Sequence, residues 1–140
     1  MLPYMVLARL LPPGEKVIVQ PSTNLVFDTI VSASGTDIGY DLGTGIITFN
    51  SAGYYYIDWC VTTQTGLSGD GNNWAIHATL SNLTIAGSSH TKVSIATGFA
   101  ILSAAENETI QLVNVSNGTL TLSSSAQSKA SLTVYRVAGS

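Results

Sequence analysis

The side chains best suited to acid–base or thiol chemistry near neutral pH are His77, His90 and Cys60, and the chain has no other histidine or cysteine. A histidine could act as a general base, or a threefold axis could gather three copies into a metal site. Neither histidine has an Asp, Glu or Cys at motif spacing, so the sequence favours structural or surface histidines. Cys60 lies in a predicted strand without a histidine partner, and we expect a buried, unreactive thiol.

One acidic residue is a candidate metal ligand. Asp70 lies in the glycine-rich loop 66–73, and a calcium ion needs about six to eight oxygen ligands. No Asp-x-Asp-x-Asp series accompanies it, so a solvated turn is the favoured interpretation. Gly43-Thr-Gly45 and Gly69-Asp-Gly71 open no predicted helix and precede no lysine, which favours turns over phosphate loops. We therefore expect no catalytic centre, no resident metal and no cofactor.

Composition restricts the partners of the chain. Its net charge is −3 with only 5 Lys and Arg, which argues against binding to nucleic acid or to anionic lipid. No apolar stretch approaches the roughly 18 residues of a membrane span. Only 9% of residues are charged, against roughly 25% in an ordinary domain, and 45% are apolar. Burial of surface between subunits is the interpretation that best accounts for such a composition.

The pattern of apolar residues predicts strands. Alternation is strong, helical periodicity is nearly absent, and turn residues recur about every 6 to 12 positions. Some ten short strands without a helix are typical of a β-sandwich or jelly roll. The predicted strands cover 16–20, 26–32, 37–41, 46–49, 54–63, 74–81, 83–85, 93–102, 109–115, 120–123 and 132–137.

The 140 residues are predicted to form one domain with its core in 26–138. Residues 1–25 are expected to pack on the sandwich or to lead into it. They match a signal peptide poorly, because Arg9 and three prolines interrupt the apolar stretch.

Two strands are apolar on both of their faces, which predicts one face for the core and one for another subunit. The predicted core comprises Phe27, Phe49, Tyr55, Ile57, Trp59, Val61, Ile110, Leu112, Leu132 and Val134. The predicted subunit interface comprises Tyr54, Tyr56, Asp58, Val113, Val115, Tyr135 and Val137, taken as one face. Asp58 would need a partner there, since burying a lone carboxylate is costly. The alternative is a carbohydrate-stacking platform made of Tyr54, Tyr56, Trp74 and Tyr135.

Several segments together resemble a known family. The run Gly-Tyr-Asp-Leu-Gly-Thr-Gly-Ile-Ile-Thr-Phe at 39–49, followed by Ala-Gly-Tyr-Tyr-Tyr-Ile at 52–57, resembles a signature of the globular head of complement component 1q and its tumour-necrosis-factor-like relatives. Segments 26–29 and 97–112 are similar to other strands of that fold. Segment 130–138 resembles the closing strand of the bacterial branch, the C-terminal domain of collagen-like spore-surface (exosporium) glycoproteins.

This resemblance implies a ten-stranded, TNF-like jelly roll that forms a homotrimer. In collagen-like proteins such a head stands at the end of a Gly-X-Y stalk and aligns three chains. The 140 residues contain no such repeat, so a stalk would lie upstream of Met1. The chain departs from the family at Glu106-Asn107-Glu108, where a Gly-Asp turn is usual.

Two functional hypotheses follow, and neither is enzymatic. The first is a structural trimerisation and display head at an extracellular, cell or spore surface. The second is a head of the same fold that binds a host, matrix or carbohydrate ligand through loops 66–73 and 123–129, because loops on a rigid scaffold often carry binding function. An enzyme is the least favoured class, since the chain has so few titratable groups.

Overall fold

The computed structural model describes residues 2–66, 72–89 and 95–139 of the chain. Within these ranges the backbone forms twelve β-strands and no helix. The strands are β1 (Tyr4–Arg9), β2 (Val17–Val19), β3 (Thr29–Ser34), β4 (Ile38–Tyr40), β5 (Ile47–Phe49), β6 (Gly53–Gly66), β7 (Asn72–Ala78), β8 (Leu83–Ser89), β9 (Ile95–Ala104), β10 (Thr109–Asn114), β11 (Leu120–Leu122) and β12 (Ala130–Gly139).

These strands form two antiparallel sheets. The seven-stranded sheet has the order β2-β11-β6-β12-β1-β3, and β9 pairs with the opposite edge of β6. The five-stranded sheet has the order β4-β5-β10-β7-β8. Sheet neighbours are mostly distant in the chain, because the chain crosses repeatedly between sheets, as in a jelly roll. The predicted all-β jelly roll is confirmed, with twelve strands in the described residues rather than ten.

The observed strands differ from the predicted ones mainly at the N-terminal end. Each predicted strand overlaps an observed one, but β1 is an additional strand, inserted between β12 and β3. The predicted strand 26–32 begins later, at Thr29. The reason is a side chain: the Tyr40 hydroxyl accepts from Phe27 N at 2.7 Å and donates to Phe27 O at 2.8 Å. That hydroxyl provides Phe27 with the partners that a neighbouring strand would otherwise supply.

The core lies between the two sheets and draws on both. All ten side chains of the predicted core are buried, with at most 2% of their surface exposed. Tyr55 stacks on Phe49 with ring centroids 4.0 Å apart, and its hydroxyl donates to Ser51 O at 2.6 Å. Strand alternation therefore identifies the inward side of β6, β10 and β12 correctly.

Strand β1 is held at its C-terminal end by two charged side chains. Asp28 accepts hydrogen bonds from Leu10 N at 2.9 Å and from Leu11 N at 2.8 Å. Arg9 lies 3.8 Å from Asp28 and donates to Val26 O at 2.9 Å and to Leu11 O at 2.8 Å. These contacts fix the path of the chain as it leaves the sheet.

Candidate functional site

The candidate site is the outward side of β9, β6, β12 and β1, which we call the outer face. Directly opposite residues of an antiparallel pair project to the same side of a sheet. Two rows of side chains therefore cross the outer face. One row is Ile101, Tyr56, Tyr135 and Tyr4, and the next is Phe99, Asp58, Thr133 and Val6.

Large apolar side chains on the outer face are unusually exposed. On β9, Phe99 is 71%, Ile101 64% and Ile95 59% exposed. They alternate with the buried Ala96 and Ala100, so these large side chains and the alanines lie on opposite sides of β9. Such a concentration of apolar surface on one side of a soluble domain indicates an interaction site.

Aromatic rings continue this apolar surface across β6 and β12. Tyr56 lies 5.0 Å from Tyr135 and 6.5 Å from Phe99, measured between ring centroids. Tyr54 and Val137 extend the surface and are each almost half exposed. At one side, the Tyr4 hydroxyl bonds to Ser32 Oγ at 2.9 Å. The outer face is therefore an open, largely aromatic surface.

Asp58 lies at the centre of the outer face. The Tyr56 hydroxyl donates a hydrogen bond to its carboxylate. Burial raises the pKa of Tyr56 above its ordinary value of 10.0, and the negative charge of Asp58 raises it further.

Cys60 lies next to Asp58 along β6 on the same face. Burial and the Asp58 charge also raise the pKa of the Cys60 thiol, which disfavours the thiolate. The arrangement gives no activated nucleophile.

A shallow pocket of about 550 Å³ opens beside Asp58. Its lining comprises Tyr56, Asp58, Trp59, Cys60, Ala86, Thr97, Gly98 and Phe99. Gly98 stands opposite Trp59, and a Cβ atom at this position would collide with the indole ring. Glycine is therefore required for β9 to approach β6 closely at this point.

The seven residues of the predicted interface do not lie on one face. Tyr54, Tyr56, Asp58 and Tyr135 belong to the outer face, and Val137 lies beside it where the register between β12 and β6 shifts. The prediction is wrong for two valines: Val113 belongs to β10 in the five-stranded sheet, and Val115 follows that strand. Alternation shows which residues share a side of one strand, but it does not show which sheet the strand joins.

The candidates for metal or acid–base chemistry give no site in the described residues. The His77 ring Nδ1 lies 3.1 Å from Thr84 Oγ1, a contact between two neighbouring strands of the five-stranded sheet. His90 and Asp70 lie outside the described residues. No group of three or more His, Cys, Asp or Glu side chains in the described ranges could hold a metal ion.

Of the two predicted binding loops, the structure describes all of 123–129 but not all of 66–73, because residues 67–71 lie outside the described residues. In the other loop, Ser124 donates from N and Oγ to Gln64 Oε1, at 2.7 and 2.9 Å. Lys129 is fully buried, and its Nζ donates to Ser123 O at 3.0 Å. Loop 123–129 is therefore held at both ends.

Sequence reasoning missed the exposed side chains of β9. The predicted interface does not include Ile95, Phe99 and Ile101, although these are the most exposed large apolar side chains of the outer face. The available signal was the alternation of Ala96, Gly98 and Ala100 with larger neighbours. Small residues at the inward positions leave room for Trp59, so the larger residues point outward.

Comparisons with known proteins bear on the fold. No family model matches the chain, and no curated protein matches its sequence. The structure is similar to the globular domain of zebrafish complement 1qA protein, with 13% identity over 96% of this chain and 97% of the other and a TM-score of 0.71. It is also similar to Eiger TNF from S. frugiperda, with 13% identity, 99% and 94% covered, and a TM-score of 0.74.

A third similar structure is the PRD1 vertex protein P5, with 15% identity, 96% of each chain covered, and a TM-score of 0.65. In the described residues, no helix has the length and apolar character to cross a membrane. On the evidence of these structural similarities, the chain has the jelly-roll fold of the complement 1q globular domain and of TNF proteins.

Proposed function

We propose that this chain is a non-enzymatic head that associates with copies of itself through the outer face and forms a homotrimer. The observation that carries the proposal is the exposed apolar surface formed by Phe99, Ile101, Tyr54 and Val137 around the ring pair Tyr56–Tyr135. At about 25 cal/mol per Å², covering several hundred Å² of such surface favours association by many kcal/mol before the entropic cost of assembly is subtracted.

A second copy is the partner best suited to this surface. Asp58 is the single charged side chain on the outer face in the described residues, so neither a basic nor a strongly acidic partner is indicated. Only 9% of the whole chain is charged, which fits a protein that hides much of its surface in an assembly. The shared fold with the complement 1q globular domain and TNF supports the same proposal.

The proposed setting is extracellular, at a cell or spore surface, where the head would order and display a longer surface protein. The resemblance of 130–138 to the closing strand of exosporium glycoproteins supports this setting, and an upstream collagen-like stalk belongs to it. The similarity to the PRD1 vertex protein P5 fits a structural role of the fold.

A pair of arginine variants tests the outer face. Tyr135→Arg places a charge beside Tyr56, and we expect it to convert the oligomer into a folded monomer, because the charge would lose its water on association. Leu42→Arg introduces the same charge at an exposed position in the β4–β5 turn and should leave the mass unchanged. Light scattering after size exclusion gives the masses, and circular dichroism checks the fold. A Tyr135→Arg protein with the wild-type oligomeric mass would contradict the proposal.

A second candidate function is ligand binding at the end of the sandwich. Between segments 10–14 and 124–127 lies a pocket of about 480 Å³ with an apolar lining that includes Leu11 and Pro13. The contacts of Ser124 with Gln64 hold one wall in place. We propose that a host, matrix or carbohydrate partner would bind here and at loop 66–73. A glycan array and a pull-down test this proposal. Each is repeated with Ala126→Arg, whose larger side chain fills the pocket. Binding that persists in the variant would place the ligand elsewhere.

A further inference from the structure

Asp58 is an exception within an otherwise uncharged surface. It lies opposite Phe99 of β9 on one side and Thr133 of β12 on the other, in the middle of the outer face. Its neighbours along β6 on the same side are Tyr56 and Cys60. A carboxylate at the centre of an apolar contact surface weakens association unless it finds hydrogen-bond donors there.

Within one copy, the described contacts satisfy this carboxylate only in part. The Tyr56 hydroxyl donates to it. An ionised carboxylate has about four acceptor positions, so burial against a partner leaves others to be filled. The outer face carries no Lys or Arg in the described residues, but it carries hydroxyl donors at Tyr4, Tyr135 and Thr97.

We propose, on the basis of the self-association proposed above, that Asp58 fixes the register of the assembly by accepting hydroxyl hydrogen bonds from the outer face of a second copy. Tyr56 holds the carboxylate in place for this contact. Asp58 is thus a positioning residue for assembly and contributes to specificity more than to affinity.

The physical reason lies in the shape of the surface. An open aromatic face gains similar apolar burial in several relative positions, so apolar contact alone selects none of them strongly. A buried carboxylate is tolerated only where donors meet it, so wrong positions leave it unpaired and are disfavoured. A single buried polar side chain selects register and oligomeric state in coiled coils by the same logic.

Native mass spectrometry of the intact chain tests the proposal with variants at Asp58. We expect one oligomer for the wild type, and for Asp58→Leu a mixture in which other oligomers gain about tenfold relative to the wild-type species. Asp58→Asn keeps one acceptor oxygen, so its share of other oligomers should lie between those of the wild type and Asp58→Leu. Ser81→Leu adds an apolar side chain at an exposed position in the turn between β7 and β8, outside the outer face, and should give one oligomer.

The outcomes separate this inference from the proposed function. A wild-type protein with the mass of one chain overturns both. A wild-type trimer together with an Asp58→Leu protein that gives only the same trimer overturns the role of Asp58 and leaves self-association standing. If Asp58→Leu does not fold, Tyr56→Phe decides. It removes the hydroxyl that holds the carboxylate in place, so a mixture of oligomers supports the inference and an unchanged single oligomer overturns it.

Discussion

At the scale of single residues, two buried polar side chains hold loops against strands. Asn114 is fully buried, and its side-chain amide donates to Val19 O at 3.0 Å and to Gly118 O at 3.2 Å. Buried Glu108 accepts from Leu80 N at 2.9 Å and from Ser81 N at 3.1 Å. These groups fix loops against strands and have no role in the candidate site.

The two tryptophans offer a comparison of a paired and an unpaired indole. Trp74 Nε1 donates to Asn72 Oδ1 at 2.6 Å, whereas Trp59 Nε1 is buried without a hydrogen-bond partner in the described residues. Trp74→Phe leaves the Asn72 oxygen unsatisfied, so it should lower the free energy of unfolding by about 1–3 kcal/mol more than Trp59→Phe does. Urea denaturation of both variants measures the difference. Equal losses would show that the hydrogen bond contributes nothing measurable.

The lowered pKa of Asp28 predicts that the protein loses stability in acid. Burial alone would raise the pKa of its carboxyl. The N–H donors of Leu10 and Leu11, the Thr29 hydroxyl and the charge of Arg9 together outweigh burial and lower the pKa below its ordinary value of 3.8. A depressed pKa gives stability that is present above the ordinary value and is lost as the pH falls through the lower, folded-state value.

Asp28→Asn keeps one acceptor oxygen and replaces the other by a donor. We expect it to lower the free energy of unfolding at pH 7 by about 1–3 kcal/mol. The difference in unfolding free energy between variant and wild type should become smaller below pH ~3.8. Denaturant titrations of both proteins at pH 7 and below pH ~3.8 check this. A gap of constant size would mean that the hydrogen bonds to Leu10 and Leu11 do not depend on the charge.

At the scale of secondary-structure elements, β9 is the strand that depends most on one glycine. Gly98→Ala would drive a Cβ atom into the Trp59 indole, so β9 must move away from β6. We expect a loss of about 1–3 kcal/mol in unfolding free energy, the range for overpacking in a core. Gly39→Ala is the control, since its Cβ would meet Asn50 Nδ2 at an ordinary 3.6 Å. Similar stability of the two variants would contradict this account of β9.

More of the individual strands than of their assembly into sheets could be predicted from the sequence. Alternation identified the inward side of β6 through Tyr55 and Trp59, because burial imposes a period of two on each strand. It could not assign Val113 to the five-stranded sheet, since pairing between distant strands leaves no local signal. Neither the burial of Lys129 nor the strand β1 follows from local patterns, because the partners of both are remote in the chain.

At the scale of the whole molecule, the charge-poor composition and the exposed outer face have one explanation. The sandwich buries its core and still leaves Phe99, Ile101 and Tyr54 exposed to solvent. Closed assembly of identical copies would cover this surface on every copy, whereas an open assembly would leave some of it exposed. We therefore propose the outer face, rather than any titratable cluster in the described residues, as the functional feature of the chain.

The measurement that tests this account most directly is the absolute mass of the wild-type chain in solution, by light scattering after size exclusion and by mass photometry at nanomolar concentration. The account predicts about 44 kDa, three times the 14.6 kDa of one chain, with no change on dilution. A mass of one chain at micromolar concentration would contradict it, because the outer face would then be stable in water without a second copy.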